Sequence, residues 1–471
     1  MPLSTDAHHH LRPLRAEHAV DCPAFVLPAE LGGRFALRGR PNHVQAIGRK
    51  RAIHHDALIL AQGPIPTVTV GVVIARTDAQ ATVLAAVERL DSVVVARDDS
   101  YGCVIAANVV AEEDVPPFAN SAVDGYAVTL ADMATGAAEL AVSGTIAAGD
   151  APEPAVTPGH AVRIMTGAPV PVGAEAIVMV EDSQRIGDDR VKLTAKVEAN
   201  QAIRPAGDDV KRGDVVFMPG DVVTPAAIGT LAGMNVQSLT VTRRPTVAVL
   251  STGDELVDDG GPLGPGQIRE SNKTMLVRLV TEAGCDVADY GIVRDDEAEL
   301  EEVLRHASQH CDAIVTSGGV SMGDYDVVKA VLGRVADMRW MQIAIKPAKP
   351  FAFGKLNGTP IFGLPGNPVS SFVSFELFAR PALRKMAGHS QPQRPFVNVT
   401  AAAAFKRKPD GKEHFARAVV GATNGNLTAT PVSAQGSHQL AATALANALV
   451  VIPDGNSVEP GDTLQALLLS F

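Results

Sequence analysis

A glycine-rich segment in the second half of the chain has the composition of a phosphate-binding turn. The segment 316–326, TSGGVSMGDYD, follows the apolar run Ala313–Val315 and precedes an apolar stretch that is typical of a helix. Such a turn directs backbone N–H groups to one point, where the helix dipole adds positive potential. Asp326, at its mouth, suits a metal ion that bridges phosphate oxygens, although glycines also serve a tight α/β connection. The predicted anion contacts in this turn are Ser317, Gly318, Gly319, Ser321 and Gly323.

Other charged or glycine-rich segments also follow predicted strands. Glu255 ends the segment STGDE after an apolar run at 246–251, and Asp295 follows a second run at 287–293. Because ligands of a doubly wound sheet bind outside the carboxyl ends of its strands, these segments are expected to converge. Carboxylates there can hold Mg²⁺, and lysines can neutralise an oxyanion. The predicted metal ligands are Glu255, Asp295 and Asp326, and the further oxyanion contacts are Lys346, Lys349, Gly366 and Asn367.

Each of these residues also has a simpler explanation. Helix capping is an alternative for Glu255 and Asp295, and it is a strong one for Asp296, which directly precedes a predicted helix. The two lysines could lie on a solvated surface, although Pro347 and Pro350 argue against an ordinary surface loop. The convergence of several such segments, rather than any one of them, favours metal-dependent phosphoanhydride chemistry.

Two turns in the N-terminal half are ambiguous on the residues alone. Thr166 lies in the segment RIMTGAPVP and offers a hydroxyl and an amide to an anion, but a common hairpin loop has the same composition. Asp209 ends the turn that begins at Arg204, and the same two explanations apply to it. A third segment, 116–128, is rich in Pro, Asn, Ser, Asp and Gly, which predicts a rigid, non-helical course.

The periodicity of the chain predicts an α/β multidomain protein. Residues 245–388 alternate strands and helices, as in a mostly parallel, doubly wound sheet. The preceding region, 79–244, includes a β-rich lobe at about 138–222, and short strands at 392–471 suggest a small β-barrel. Residues 1–78 show no clear periodicity and are interpreted as a poorly defined N-terminal extension.

Composition excludes several classes of protein. The formal net charge of -11 and the 4% content of aromatic residues argue against a nucleic-acid surface. No segment is a convincing membrane-spanning helix. The four cysteines form no C-x-x-C pair, which predicts a cytoplasmic protein without disulfides or a zinc site.

Six motifs in a fixed order resemble the molybdopterin molybdenumtransferase family, which includes MoeA and the gephyrin E-domain. They are NSAVDGYAV, RIMTGAPVP, STGDEL, TSGGVSMGDYD, IKPAKPFAFG and GLPGNPVSSF, and the resemblance extends from about residue 79 to the C-terminus. It implies insertion of molybdate into adenylylated molybdopterin with release of AMP, participation of Mg²⁺, and a cytoplasmic homodimer. It also implies a central molybdopterin-binding domain that is similar to the MogA-type adenylyltransferases, one of which would supply the substrate.

The resemblance assigns roles to residues that match the motifs. It adds Asp124, Thr166 and Asp209 to the catalytic residues Glu255, Asp295 and Asp326, and it places them near the α/β domain of the partner subunit. Arg417 and Ser437 match substrate-binding positions of the C-terminal domain. Four positions, among them Gln342 and Ala348, depart from the expected pattern. Gln342 replaces a lysine, which leaves the preference between molybdate and tungstate open, and Ala348 replaces a glycine.

Two other functions compete with the transferase. A pterin adenylyltransferase would need only the α/β domain, and it would leave NSAVDGYAV and the C-terminal strands unexplained. A non-catalytic cofactor scaffold would have no need of the intact carboxylates and lysines. The sequence therefore favours the molybdenum-inserting transferase.

Overall fold

The computed structural model describes residues 36–37, 73–319 and 327–469. Its first two strands, β1 (Ala36–Leu37) and β2 (Val73–Ile74), lie at opposite edges of the central sheet. Helix α1 (Arg76–Ala85) contributes Val83 to the core of the same α/β domain. Within the described residues, no helix has the length and apolar character needed to cross a membrane.

The region that follows α1 forms two small lobes. One consists largely of a six-stranded sheet in the order β10-β11-β7-β8-β6-β9, and it begins at Gly125, earlier in the chain than the predicted lobe. In the other, β3 pairs with β14, and α2 begins where the Thr224 hydroxyl accepts a hydrogen bond from the Ala227 N–H. The elements of this region are β3 (Ser92–Ala96), β4 (Val109–Val110), β5 (Asn120–Ser121), β6 (Gly125–Val128), β7 (Ala138–Ile146), β8 (His160–Ile164), β9 (Ala176–Met179), β10 (Ser183–Ile186), β11 (Arg190–Leu193), β12 (Ile203–Arg204), β13 (Val215–Phe217), α2 (Pro225–Gly233) and β14 (Ser238–Thr242).

The central domain is built on an eight-stranded sheet, and its prediction as mostly parallel is confirmed. Its elements are β15 (Thr246–Thr252), β16 (Leu256–Val257), β17 (Ile268–Arg269), α3 (Asn272–Glu282), β18 (Asp286–Val293), α4 (Glu297–His310), β19 (Ala313–Ser317), α5 (Val327–Val335), β20 (Asp337–Ile343), β21 (Ile345–Lys346), β22 (Pro350–Leu356), β23 (Thr359–Leu364), α6 (Pro368–Ser374), a π-helical turn (Phe375–Ala379) and α7 (Arg380–Met386). The sheet order is β1-β18-β15-β19-β23-β22-β20-β2, and only β1 and β22 oppose the common strand direction.

Helices cover both faces of this sheet because side chains alternate along its buried strands. Val247 and Val249 of β15 face the apolar cluster that includes α1, α3, α6 and α7. Ala248 and Leu250 of the same strand face the cluster that includes α4 and α5. The carboxyl ends of the parallel strands are therefore the open edge of a three-layer domain.

The C-terminal region forms the predicted β-barrel. Its elements are β24 (Phe396–Ala401), β25 (Glu413–Thr423), β26 (Asn426–Pro431), α8 (Leu440–Ala444), β27 (Ala448–Ile452) and β28 (Thr463–Leu468). The order β25-β26-β24-β28-β27 closes because β25 also pairs with β27. The short strand β21, from the central domain, pairs in parallel with the start of β25. The barrel is thus joined to the segment that carries Lys346.

Candidate active site

The parallel arrangement brings the ends of β15, β18, β19 and β23 to one edge of the central sheet. Two backbone hydrogen bonds join the turns that follow these strands. The Gly318 N–H donates to the Leu364 carbonyl oxygen at 3.2 Å, and the Gly253 N–H donates to the Val293 carbonyl oxygen at 3.4 Å. The predicted convergence of these segments is therefore present in the fold.

The turn after β19 requires glycine. Gly318 and Gly319 have φ angles of 104° and 70°, in the region that favours residues without a Cβ atom. A Cβ atom at Gly318 would lie 2.9 Å from Thr252 Oγ1, and one at Gly366 would lie 3.8 Å from the Gly318 Cα atom. The turns after β15, β19 and β23 are thus in close contact. Ser321, Gly323 and Asp326 lie outside the described residues.

The carboxylates of the site lie on two adjoining loops. Asp254, Glu255 and Asp295 are exposed, and the Asp295 N–H donates to Asp254 Oδ1 at 3.3 Å. Asp296 instead caps α4, because its Oδ1 accepts a hydrogen bond of 2.8 Å from the Glu299 N–H. Within the described ranges, no group of three or more His, Cys, Asp or Glu side chains is arranged to hold a metal ion. The metal-ligand assignment stays a prediction.

The lysine segment forms a tight turn at the boundary with the barrel. Lys346 and Lys349 are exposed, whereas Ala348 between them is 3% exposed and has a φ angle of 72°. The Ile343 N–H donates to the Lys349 carbonyl oxygen at 2.8 Å, which closes the turn. Gln342 lies at the end of β20, opposite Pro350 of β22. The buried alanine and the closing hydrogen bond fix the backbone on which both lysines are carried.

The C-terminal barrel contributes a loop to the same region. Arg417 is 1% exposed, and its Nη2 donates hydrogen bonds of 3.1 Å to the carbonyl oxygens of Ala434 and Gly436. The Ser437 carbonyl oxygen accepts a hydrogen bond of 3.1 Å from the Val369 N–H at the start of α6. Arg417 thus holds the loop that carries Ser437 beside the turn of Gly366 and Asn367. Direct contact of Arg417 with an anion stays a prediction.

The N-terminal residues form a separate group around β5. Asp124 Oδ1 accepts hydrogen bonds from the Thr166 N–H at 2.8 Å and from Thr166 Oγ1 at 2.7 Å. These bonds, led by the backbone one, lower the pKa of Asp124. Asp209 follows β12, which pairs with β5, but in the described part of the chain no hydrogen bond or ion pair joins these three residues to the sheet edge.

Two residues that sequence reasoning did not single out organise the sheet edge. The Glu270 carboxylate is 9% exposed and accepts hydrogen bonds from Ser251 Oγ at 3.0 Å and from the Lys273 N–H at 2.6 Å. Asn272, the first residue of α3, donates from Nδ2 to Ser317 Oγ at 2.8 Å and to the Gly366 carbonyl oxygen at 2.7 Å. The available signal was the polar run Glu270–Asn272 at the start of a predicted helix.

Comparisons with known proteins agree with this architecture. Three family descriptions match consecutive parts of the chain: the MoeA N-terminal region (domain I and II) at 74–234, a probable molybdopterin binding domain at 248–385, and the MoeA C-terminal region (domain IV) at 398–469. The crystal structure of a molybdopterin biosynthesis MoeA protein from Pyrococcus horikoshii OT3 has a TM-score of 0.71 and 28% identity, covering 84% of this chain and 100% of that chain.

Two curated relatives identify the family more specifically. Molybdopterin molybdenumtransferase 2 of Mycobacterium tuberculosis is 41% identical over 378 residues, which is 78% of this chain and 92% of the relative. The molybdopterin molybdenumtransferase of Haemophilus influenzae is 38% identical over 363 residues, which is 77% of this chain and 90% of the relative. Fold and site thus define a multidomain protein with a molybdopterin-binding α/β domain. The chain belongs to the molybdopterin molybdenumtransferase family, as the six motifs predicted.

Proposed function

We propose that this protein inserts molybdate into adenylylated molybdopterin and releases AMP, forming the molybdenum cofactor. Family membership supports the reaction. The observation that carries the site assignment is the contact between the turns of Gly318 and Gly366 at the carboxyl edge of the sheet. An adenylyltransferase or a scaffold is less favoured, because either function would leave the joined barrel and the lysine segment without a catalytic purpose.

The glycine turn and the lysine segment would each hold a different part of the reactants. Backbone N–H groups of the glycine turn, with Ser317, would hold phosphate oxygens. Lys346 and Lys349, on a rigid turn, would hold molybdate as an oxyanion close to the pterin. The Ser437 loop, fixed by Arg417, would close the site beside the molybdate. Reaction then depends on orientation, because both reactants are held before the phosphoanhydride opens.

The residues present fit a magnesium ion. Glu255 and Asp295 are exposed carboxylates at the sheet edge, and Mg²⁺ is commonly held by one or two carboxylates together with phosphate oxygens and water. Asp326 would be a further ligand. When bound, the ion would neutralise charge on the phosphoanhydride and polarise it. Glu255 and Asp295 would hold that ion, and Glu255 would also orient a water molecule.

We further propose a cytoplasmic homodimer that receives its substrate from a separate adenylyltransferase. Asp124, Thr166 and Asp209 have no contact of their own with the sheet edge among the described residues, so a second subunit would bring them to it. The described cysteines, Cys103, Cys285 and Cys311, are free thiols, which agrees with a reducing compartment.

A single-turnover assay tests the reaction. Protein is mixed with adenylylated molybdopterin, Mg²⁺ and molybdate, while AMP release and reconstitution of an apo-molybdoenzyme are followed. We expect molybdate-dependent AMP release from the wild type, and at least tenfold slower release from Glu255→Ala and Lys346→Ala. The exposed Glu459→Ala and Lys192→Ala variants, which make the same substitutions elsewhere, should match the wild type.

Two results would contradict the proposed reaction, and a third would contradict the assignment of the carboxylates. Adenylylation of molybdopterin with ATP would indicate the adenylyltransferase instead. Tight binding of the substrate without AMP release would indicate a carrier. Near wild-type cofactor yield from both Glu255→Ala and Asp326→Asn would refute the assignment of the carboxylates while leaving the reaction in place.

A further inference from the structure

Asn272 joins two turns at the carboxyl edge of the sheet. Its Nδ2 lies 2.8 Å from Ser317 Oγ and 2.7 Å from the Gly366 carbonyl oxygen, so one amide nitrogen bridges the ends of β19 and β23. Ser317 is 2% exposed. The bridge joins residues that are 45 and 94 positions away from Asn272 in the chain, and both belong to the predicted phosphate turns.

The chemistry of the bridge fixes which way each group points. A carbonyl oxygen only accepts hydrogen bonds, so the atom of Asn272 that faces Gly366 has to be the NH₂ group. One hydrogen of that group serves Gly366, and the other serves Ser317 Oγ. The Ser317 oxygen is therefore an acceptor towards Asn272, and its own hydrogen is left to be donated elsewhere.

The other amide atom of Asn272, Oδ1, and the hydroxyl hydrogen of Ser317 have no partner in the part of the chain that the structure describes. Asn272 Oδ1 is buried, as is Ser317. Buried polar groups are almost always satisfied, so among the described residues the Ser317 hydrogen and Asn272 Oδ1 are available to a polar molecule at the sheet edge. The adjoining glycine turn offers N–H donors, which makes an anionic oxygen the natural acceptor for Ser317.

The helix that carries Asn272 is itself held in place. The buried Glu270 carboxylate ties the start of α3 to the end of β15, through Ser251 Oγ and the N–H groups of Lys273 and Thr274. Asn272 is therefore presented from a fixed helix terminus. This is the geometry expected of a group that orients another donor.

We propose that Asn272 is a positioning residue that aims the Ser317 hydroxyl at a phosphate oxygen of the substrate. The proposal rests on the proposed function for the identity of the phosphate ester. It assigns no chemical step to Asn272, which acts through Ser317 and through the position of the Gly366 turn. Asn272 was not among the residues that the motifs of the family singled out.

A double-mutant cycle on the full-length protein tests this role, with AMP as the probe and calorimetric titration as the measurement. At pH 8, Ser317→Ala should weaken AMP binding about ten- to a hundredfold, as expected for one hydrogen bond to a charged group. Asn272→Asp should weaken it at least as much, because an acceptor-only carboxylate would then face the Gly366 carbonyl oxygen. The double variant should bind no more weakly than Asn272→Asp alone, since the hydroxyl has already lost its orientation.

The pH dependence separates positioning from a merely structural effect. In Asn272→Asp, the carbonyl oxygen of Gly366 and the bound phosphate would disfavour the charged form of the new carboxyl group and raise its pKa, and the protonated form regains one donor. The ratio of the variant's Kd to that of the wild type should therefore fall between pH 8 and pH 5. Asn398→Asp, an exposed position on the barrel, adds the same charge and should bind AMP like the wild type at both pH values. If Asn272→Asp does not fold, Asn272→Ala in the same cycle should show the non-additivity without the pH response.

Several outcomes would overturn the inference: additive losses in the double variant, wild-type binding by Ser317→Ala, equal losses from Asn398→Asp and Asn272→Asp, or no AMP binding by the wild type. Failure of the proposed function would be seen separately. In that case AMP would bind with the expected coupling, but molybdate would cause no AMP release from the adenylylated pterin.

Discussion

Replacing Gly318 with alanine should damage the site and the central domain together. Gly318 has a φ angle of 104°, where an L-residue costs about 1–2 kcal/mol. The new Cβ atom would also lie 2.9 Å from Thr252 Oγ1 and 3.0 Å from the Thr252 carbonyl oxygen. Thr252 is 7% exposed at the end of β15, and relieving such an overlap in a packed region costs about 1–3 kcal/mol. The expected loss in the free energy of unfolding is therefore about 2–5 kcal/mol.

Gly358 provides a matched control for the backbone term. It lies in the turn between β22 and β23, has a φ angle of 89°, and a Cβ atom there would meet no other atom within 4 Å. Gly358→Ala should therefore cost only the conformational term, about 1–2 kcal/mol. The difference between the two variants isolates the close approach of the glycine turn to Thr252.

The single tryptophan of the chain makes the assay specific for this domain. Trp340 lies on β20 of the central sheet, so its fluorescence in a urea titration follows the domain that contains Gly318. Gly318→Ala should also weaken AMP binding, whereas Gly358→Ala should not. Equal losses of stability in the two variants would refute the role of the Thr252 contact, and unchanged AMP binding by Gly318→Ala would refute the placement of phosphate at this turn.

Two further predictions use the same fluorescence assay. Ala348→Gly should change the free energy of unfolding by less than about 1 kcal/mol, because two effects oppose each other. The glycine relieves about 1 kcal/mol of strain at a φ of 72°, but the protein loses a buried methyl group and the unfolded chain gains entropy. A larger change in either direction would contradict this balance. Burial, together with Arg384 and Arg380, lowers the pKa of His389 to about 4. Between pH 6.5 and pH 4 the unfolded state therefore binds more protons than the folded state. The free energy of unfolding should fall by up to about 3 kcal/mol as the pH falls through that range. His389→Gln should remove most of this loss, and an unchanged pH dependence would show that other groups cause it.

The order of the elements could be predicted from the sequence where periodicity is strong. The βα units between Thr246 and Ser317 could be predicted because their strands are buried on both faces and their helices are amphipathic. β20 and β22 could not be assigned in the same way. Their pairing is antiparallel and lies towards one edge of the sheet, so tertiary context, rather than a continuous apolar run, determines it.

The candidate site was predictable to the extent that each residue follows a strand. The placement of the Gly318 and Gly366 turns at one edge of the sheet follows from parallel topology. Their contact also requires β19 and β23 to be neighbours, which the sequence did not indicate. The role of Asn272 could not be predicted, because it depends on atoms brought together from three distant segments. For Ala348, the sequence indicated only that a glycine was missing, whereas the structure shows a positive φ angle and a buried methyl group.

The attachment of the barrel argues for a site that extends beyond the central sheet. Lys346 lies on β21, which pairs with the barrel strand β25, so the barrel fixes the backbone of a predicted oxyanion contact. Phe415 and Val451 of the barrel belong to the same apolar cluster as Ile345 and Val369 of the central domain. A protein that only adenylylated the pterin would need the glycine turn and its carboxylates, but not this second support. The shared cluster therefore favours a reaction in which a second anion, molybdate, is held beside the phosphate turn.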